Sequence, residues 1–303
     1  MITQILYQLD KSYSISFFSS DCILTMYPVG QTISNEQRQI NGSSPEGIKD
    51  VYRTIENQTF DEERALYGSK FIHCVNCKFD GPRDGESAFK ECNNIHLTNC
   101  DLNLRYPIWH TSNCIMEDCR MPETCRASLW YDKNVTAKNC QMHGIKAFRE
   151  CEGIQLEHCD ILSEEFMWNC KNIQIKNTTI QSVYPFMNCQ NMEISHMHMT
   201  GKYCFQYSSN IVIRDSFVDT KDAFWHGTNI TIYDSVVKGE YLAWYSKGLH
   251  LIRCKIEGTQ PFCYADGLVL EDCEMKNTDL SFEFSNVQAT IKGEIESVKN
   301  PKS

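Results

Sequence analysis

The sequence contains no block of basic residues. Its 29 Lys and Arg stand against 39 Asp and Glu, a formal net charge of −10. Nothing offers the Lys/Arg patch that a phosphate backbone requires, which excludes nucleic acid as a partner. There is also no apolar run of about 18 residues, so no helical membrane span is expected. The stretch Ser12–Gly30 (SYSISFFSSDCILTMYPVG) is too polar and too short for one. One lysine precedes it and no small-residue cleavage pattern follows, so no signal peptide is expected either. No two C-x-x-C pairs face each other at zinc-finger spacing, since Cys74-Val75-Asn76-Cys77 is a lone tetrad. No clustered acidic triplet marks a calcium site. Neither a metal nor a cofactor is expected.

Cysteine itself is abundant. There are 17 in 303 residues. The number is odd, the chain is long and the spacing is periodic. That combination favours reduced thiols acting as small core residues in a cytoplasmic protein over a disulfide framework.

The period is 19 residues, as in CEGIQLEHCDILSEEFMWN (151–169), CKNIQIKNTTIQSVYPFMN (170–188) and GTNITIYDSVVKGEYLAWY (227–245). One unit, 111–131, carries two extra residues. Self-similarity this sustained marks a solenoid. Helical repeats are longer and show helical periodicity, whereas here the pattern has period two: Ile154-x-Leu156, Ile173-x-Ile175, Ile230-x-Ile232. A second short strand follows in each unit, as at Cys159-x-Ile161. A third segment carries one inward apolar residue: Phe89, Ile108, Leu129, Phe148, Met167, Phe186, Phe205, Phe224 or Phe262. Three short strands per turn predict an all-β parallel β-helix of about 11–12 coils. Asn and Gly recur at one corner (Asn172, Asn191, Asn210, Asn229, with Gly153, Gly248 and Gly267), where a sharp bend requires the left-handed conformation. Cys77, Cys100, Cys119, Cys140, Cys159, Cys254 and Cys273 fill one inward column, and Cys92, Cys151, Cys170 and Cys189 a second.

Residues 1–54 show no repeat and read as a poorly ordered extension, and residues 55–303 as the β-helix domain. Asn57–Gly68 carries Thr59-x-x-Glu62, a capping box, which predicts a short capping helix at the N-terminal end.

All five tryptophans share one phase: Trp109, Trp130, Trp168, Trp225 and Trp244, with Lys90, Arg149, Met187, Gln206 and Cys263 at the remaining positions. The charged members place this column on the outside. It also directly follows the inward apolar column, and strand side chains alternate. The next column holds His110, Tyr131, Glu150, His226, Tyr245 and Tyr264. Another, upstream, holds Asp222 and Tyr241, beside Arg105, Arg126 and Glu240. The opposite strands, such as QIKN and TIYD, look plain. Aromatic platforms with polar tips suit an oligosaccharide, and Trp, Tyr and Arg also dominate protein interfaces. Two readings follow, a carbohydrate-binding groove and a non-catalytic interaction scaffold. Aromatic stacking down a solenoid face is the structural alternative to both. For catalysis the best cluster is Arg126, Lys146, Arg149 and Glu150, since eliminating a uronate needs a cation for the carboxylate and a base. Glycoside hydrolysis needs two carboxylates, and no pair stands out.

The segments LRYPIWH, ETCRASLWYDKN, GIKAFREC, TKDAFWH, VVKGEYLAWYSK, GTQPFCY and TDLSFEFS resemble an uncharacterised bacterial family, a domain of unknown function. The resemblance runs from Ile55 to Ser303. It implies a right-handed parallel β-helix, related in architecture to pectate lyases, and it implies no activity.

Overall fold

The computed structural model describes residues 13–15, 26–28, 52–81 and 87–302. The chain divides into two compact units, Met1–Asp50 and Val51–Ser303. In the first, Tyr13–Ile15 pairs antiparallel with Met26–Pro28. Most of the expected N-terminal extension lies outside the described residues. Its last residues do not, since Arg53 and Thr54 pair in parallel with Ile72 and His73.

From Arg53 onward the chain winds as a parallel β-helix. Each coil opens with a strand, usually of six residues, such as Glu152–Glu157, Lys171–Lys176, Gln190–Ser195 and Ser209–Arg214. The register repeats the sequence period: Ile154 pairs with Ile173, Ile173 with Met192, Met192 with Ile211 and Ile211 with Ile230. A second strand follows, as in Thr179–Val183 and His198–Lys202. Period-two alternation sends Ile173 and Ile175 inward and Gln174 outward because successive side chains of a strand point to opposite faces. The corner between coils bends at Asn172, Asn191, Asn210 and Asn229, all at positive φ. Their amides also ladder: Asn191 donates to Asn172 over 3.0 Å, Asn210 to Asn191 over 3.1 Å and Asn229 to Asn210 over 2.8 Å.

The third side departs from expectation. Among the described residues it is a strand only in three early coils, at Phe89–Lys90, Ile108–Trp109 and Leu129–Trp130. Later coils turn there instead, with positive φ at alternate residues such as Tyr184, Phe186 and Asn188. Consecutive residues are buried, as at Phe166–Met167, Pro185–Phe186 and Ala223–Phe224, a pattern that strand alternation forbids. The apolar column still points inward, and Phe186, Phe205 and Phe224 stack at 4.6 and 5.1 Å between ring centres. The expected capping helix does not form. Thr59–Phe60 is a strand paired with Lys78–Phe79, and turns follow it. Tertiary pairing onto the next coil outweighs the local capping signal.

The sixteen described cysteines are all buried and unpaired. Most donate to a backbone carbonyl of the preceding coil, as Cys119 does to Leu97 (3.4 Å), Cys140 to Met116 (3.5 Å) and Cys151 to Leu129 (3.3 Å). Thr111, which occupies the same column as Cys151, makes the equivalent bond to Phe89 at 2.9 Å. Cysteine, serine and threonine interchange in these columns because each supplies one small donor.

Candidate functional site: the tryptophan edge

The five indoles lie in one outward file. Backbone pairing links Lys90, Trp109, Trp130, Arg149 and Trp168 in succession. All five are half-buried, and the backbone explains why. Four indole N–H groups donate to a carbonyl at a left-handed corner of the next coil. Trp130 reaches Lys146 (2.8 Å), Trp168 reaches Tyr184 (2.7 Å), Trp225 reaches Tyr241 (2.7 Å) and Trp244 reaches Gln260 (2.8 Å). Gln206, in the same file, substitutes its amide and reaches Asp222 at 3.3 Å. Trp109 makes no such bond among the described residues. Trp225 and Trp244 stack at 5.5 Å, within 1° of parallel. The indoles therefore brace one coil against the next. They are not open platforms.

Arg149 takes the place of a tryptophan. Its guanidinium lies 4.8 Å from the Trp130 ring centre and 4.5 Å from that of Trp168. It also donates to Glu165 at 2.7 Å, and Lys146 approaches the same carboxylate at 3.7 Å. The four residues of the expected catalytic cluster thus sort differently. Arg149 and Lys146 converge on Glu165, a residue the sequence did not single out as central. Glu150 turns to Asn169, whose amide donates to it at 2.6 Å. Arg126 is exposed and forms no ion pair among the described residues.

The column next to the indoles is mostly exposed, with Asn169 and Tyr264 half-buried, and its rings stack into two ladders. One is the pair His110–Tyr131, 4.8 Å apart. The other runs Tyr207–His226–Tyr245–Tyr264–Phe284, with spacings of 4.9, 5.1, 4.8 and 5.7 Å. Tyr207 and Phe284 were not singled out from the sequence. Tyr207 carried the signal of column membership. Phe284 did not, because the last coil is one residue longer here. Rings stacked in this way cover each other's faces, leaving edges and polar tips to solvent. Between the ladders the column holds Glu150, Asn169 and Asn188, with Asn169 donating to the Glu150 carboxylate and Asn188 to the Asn169 carbonyl at 2.8 Å. All of these corner residues, aromatic or not, have positive φ.

Upstream, Lys221 meets Glu240 at 3.1 Å and lies 5.0 Å from the Tyr241 ring centre. Asp222 is buried, and burial pushes its carboxyl up from the usual range, against the pull of Lys221. Arg105 packs 5.4 Å from the Tyr106 ring centre. The strands called plain are not featureless. A hollow of about 500 Å³ lies over Gln155, Gln174 and Glu193 on the first strand of successive coils, away from the indoles.

These features define a parallel β-helix with an aromatic, charge-bearing edge. The chain belongs to the family described as "Protein of unknown function (DUF3737)", whose model matches residues 53–303. No curated protein matches it. Among solved structures it is similar to PfbA, a surface adhesin of Streptococcus pneumoniae, at 8% identity and TM-score 0.42, over 78% of this chain and 80% of that one. It is also similar to the A-module of the Azotobacter vinelandii mannuronan C-5 epimerase AlgE4, at 10% identity and TM-score 0.29, over 80% and 91%. A third is the Agl-KA catalytic domain, at 11% identity and TM-score 0.39, over 80% and 62%. At such identities the likeness is one of fold alone.

Proposed function

We propose that this protein binds an oligosaccharide in the gap between the two aromatic ladders. The observation that supports this reading is the interruption itself. Tyr131 and Tyr207 end their ladders, so each has one face with no ring against it. Four coil steps separate them, roughly 19 Å at about 4.8 Å per step. The floor between is Glu150, Asn169 and Asn188, short polar side chains held in line by their own hydrogen bonds. Two aromatic end walls and a hydrogen-bonding floor fit a short sugar chain, apolar on its ring faces and polar on its rim.

The backbone does not demand aromatic residues at this corner. Asn169 and Asn188 occupy it at φ 56° and 54°, and Tyr131 and Tyr207 at 60° and 58°. Asparagine tolerates that conformation better than tyrosine does. Arg149 and Lys146, fixed on Glu165, orient the ligand from the side in this reading. Cleavage is less well supported, because Glu165 and Glu150 are already engaged and form no acid–base pair.

The test is binding of neutral and uronate oligosaccharides, read by calorimetry and tryptophan emission. Tyr131→Asn and Tyr207→Asn keep a residue the corner accepts, and each weakens binding by roughly tenfold, as loss of about 1.4 kcal/mol requires. Tyr245→Asn, from the interior of a ladder, leaves it within about twofold. Unchanged affinity in both end-ring variants sinks the proposal. Shortened or unsaturated products replace it with a hydrolase or a lyase. The second reading, a protein-docking scaffold, is favoured by Phe284, which is 46% exposed and has no polar tip. A partner lost with Tyr245→Asn and Phe284→Ser, but not with the end-ring variants, supports it.

A further inference from the structure

The first strand of each coil presents an outward row that the aromatic edge does not touch. In register it runs Ile115, Thr136, Gln155, Gln174, Glu193, Val212. A hollow of about 500 Å³ lies over its middle, lined among others by Gln155, Gln174 and Glu193. It shares Gln174, Glu193 and Val212 with a neighbouring hollow of about 410 Å³, and Gln155 and Gln174 with one of about 170 Å³. Together they form a trough crossing five coil steps, roughly 24 Å at about 4.8 Å per step.

The two walls and the floor differ in one respect. One wall is the asparagine ladder Asn172–Asn191–Asn210, whose amides bond to each other. The other carries charges, of which Lys138 and Arg214 meet partners nearby. Lys138 lies 3.9 Å from Glu157, and the Arg214 guanidinium lies 3.9 Å from the Tyr233 ring centre. On the floor, Gln155, Gln174 and Glu193 are exposed and make no side-chain hydrogen bond or ion pair among the described residues. Three unengaged polar side chains thus recur at one-coil spacing along the floor of the trough.

The composition of the trough selects the occupant. Glu157 and Glu193 oppose a polyanion, and Lys138, Lys176 and Arg214 oppose a polycation. An extended peptide has no free edge to join, because each strand here is paired on both sides. A neutral chain rich in hydroxyls matches the glutamine amides, each of which both donates and accepts. We propose that this trough is a separate binding site for a neutral, extended saccharide lying parallel to the helix axis. It rests on observations distinct from those of the aromatic gap, and either site can fail without the other.

The experiment uses the full chain with soluble xylo-, cello-, malto- and chito-oligosaccharides. Calorimetry measures affinity, and tryptophan emission reports which face is engaged, since all five indoles lie in the other file. The expected result is binding that leaves emission unchanged and weakens by roughly tenfold or more in Gln155→Ala/Gln174→Ala, the loss of one or two hydrogen bonds. Tyr131→Asn and Tyr207→Asn leave this binding intact. The mutated side chains are exposed, so an unchanged melting temperature confirms that the double variant is folded. The proposal is overturned if none of the four series binds. It is equally overturned if all binding shifts tryptophan emission, if the double variant binds as the parent does, or if only heparin or polylysine is held at this face.

Discussion

Asp132 is a carboxylic acid inside the coil. It sits in the column of Thr111 and Cys151, wholly buried, and burial pushes its carboxyl well above the usual carboxylate range. One oxygen accepts the Thr111 N–H at 2.7 Å, and the other, Oδ2, has no partner. The substitution to test is Asp132→Thr. Thr111, one coil earlier, shows what a threonine does here, donating to Phe89 at 2.9 Å. A threonine at 132 reaches the matching carbonyl, that of Ile108, and removes the orphaned oxygen. An unsatisfied buried polar group costs about 1–3 kcal/mol, so the variant is expected to be more stable by about that much at pH 8. For a domain of this size each kcal/mol corresponds to roughly 2–4 °C in melting temperature. The sign of the pH dependence follows from the raised folded value. In the parent the contribution of the proton held by Asp132 is fully present below the unfolded value, about 3.9. It is lost as pH rises through the folded value. The gain from Asp132→Thr therefore grows from acid to alkaline pH. The assay is thermal melting of both proteins across pH 4 to 8 by far-ultraviolet circular dichroism. A variant less stable than the parent at pH 8, or a difference that does not change with pH, would refute the reasoning.

Four further outcomes follow from the same geometry. Trp225→Phe keeps the stack on Trp244 and loses the bond to the Tyr241 carbonyl, so stability falls by about 0.5–1.5 kcal/mol in urea titration. Arg149→Ala empties the sandwich between Trp130 and Trp168 and lowers stability by about 1–3 kcal/mol, while Arg149→Lys recovers part of it. Gly201→Ala places a Cβ 1.7 Å from the Ser182 carbonyl oxygen at φ +145°, whereas at Gly267 nothing lies closer than 3.8 Å. The first is expected to yield insoluble chain and the second soluble protein weakened by about 1–3 kcal/mol. The described thiols are buried, and burial pushes Cys204 to about 12 and Cys92 to about 11. Thiol reagents at neutral pH should label them only as fast as the coil opens, and fast labelling of the folded protein would contradict the core assignment.

The winding was legible because a 19-residue period leaves a mark at every lap. Ile173, Ile175, Phe186 and Asn191 each predicted their own place from phase alone. Asp132 carried the same signal, falling in the Cys92–Cys151 column once the two extra residues of 111–131 are counted. The failures have local causes. The capping box at Thr59 is a short-range signal, and strand pairing with Lys78–Phe79 prevailed over it. The third side kept its inward residues but not its strands, because phase shows which way a residue points and not the sign of its φ. The aromatic edge was legible as a column. Its loss of platform character was not.

The sequence by itself determined the coil, its period, the inward columns and the presence of every indole on one file. Those properties depend only on position within the lap. The tertiary structure decided what each polar and aromatic group meets: indole N–H on a corner carbonyl, Arg149 between two rings, ring face against ring face, and glutamines left open over a trough. These contacts are made between neighbouring laps and are governed by corner backbone direction and by the size of the side chain stacked above, neither of which a residue's own phase contains.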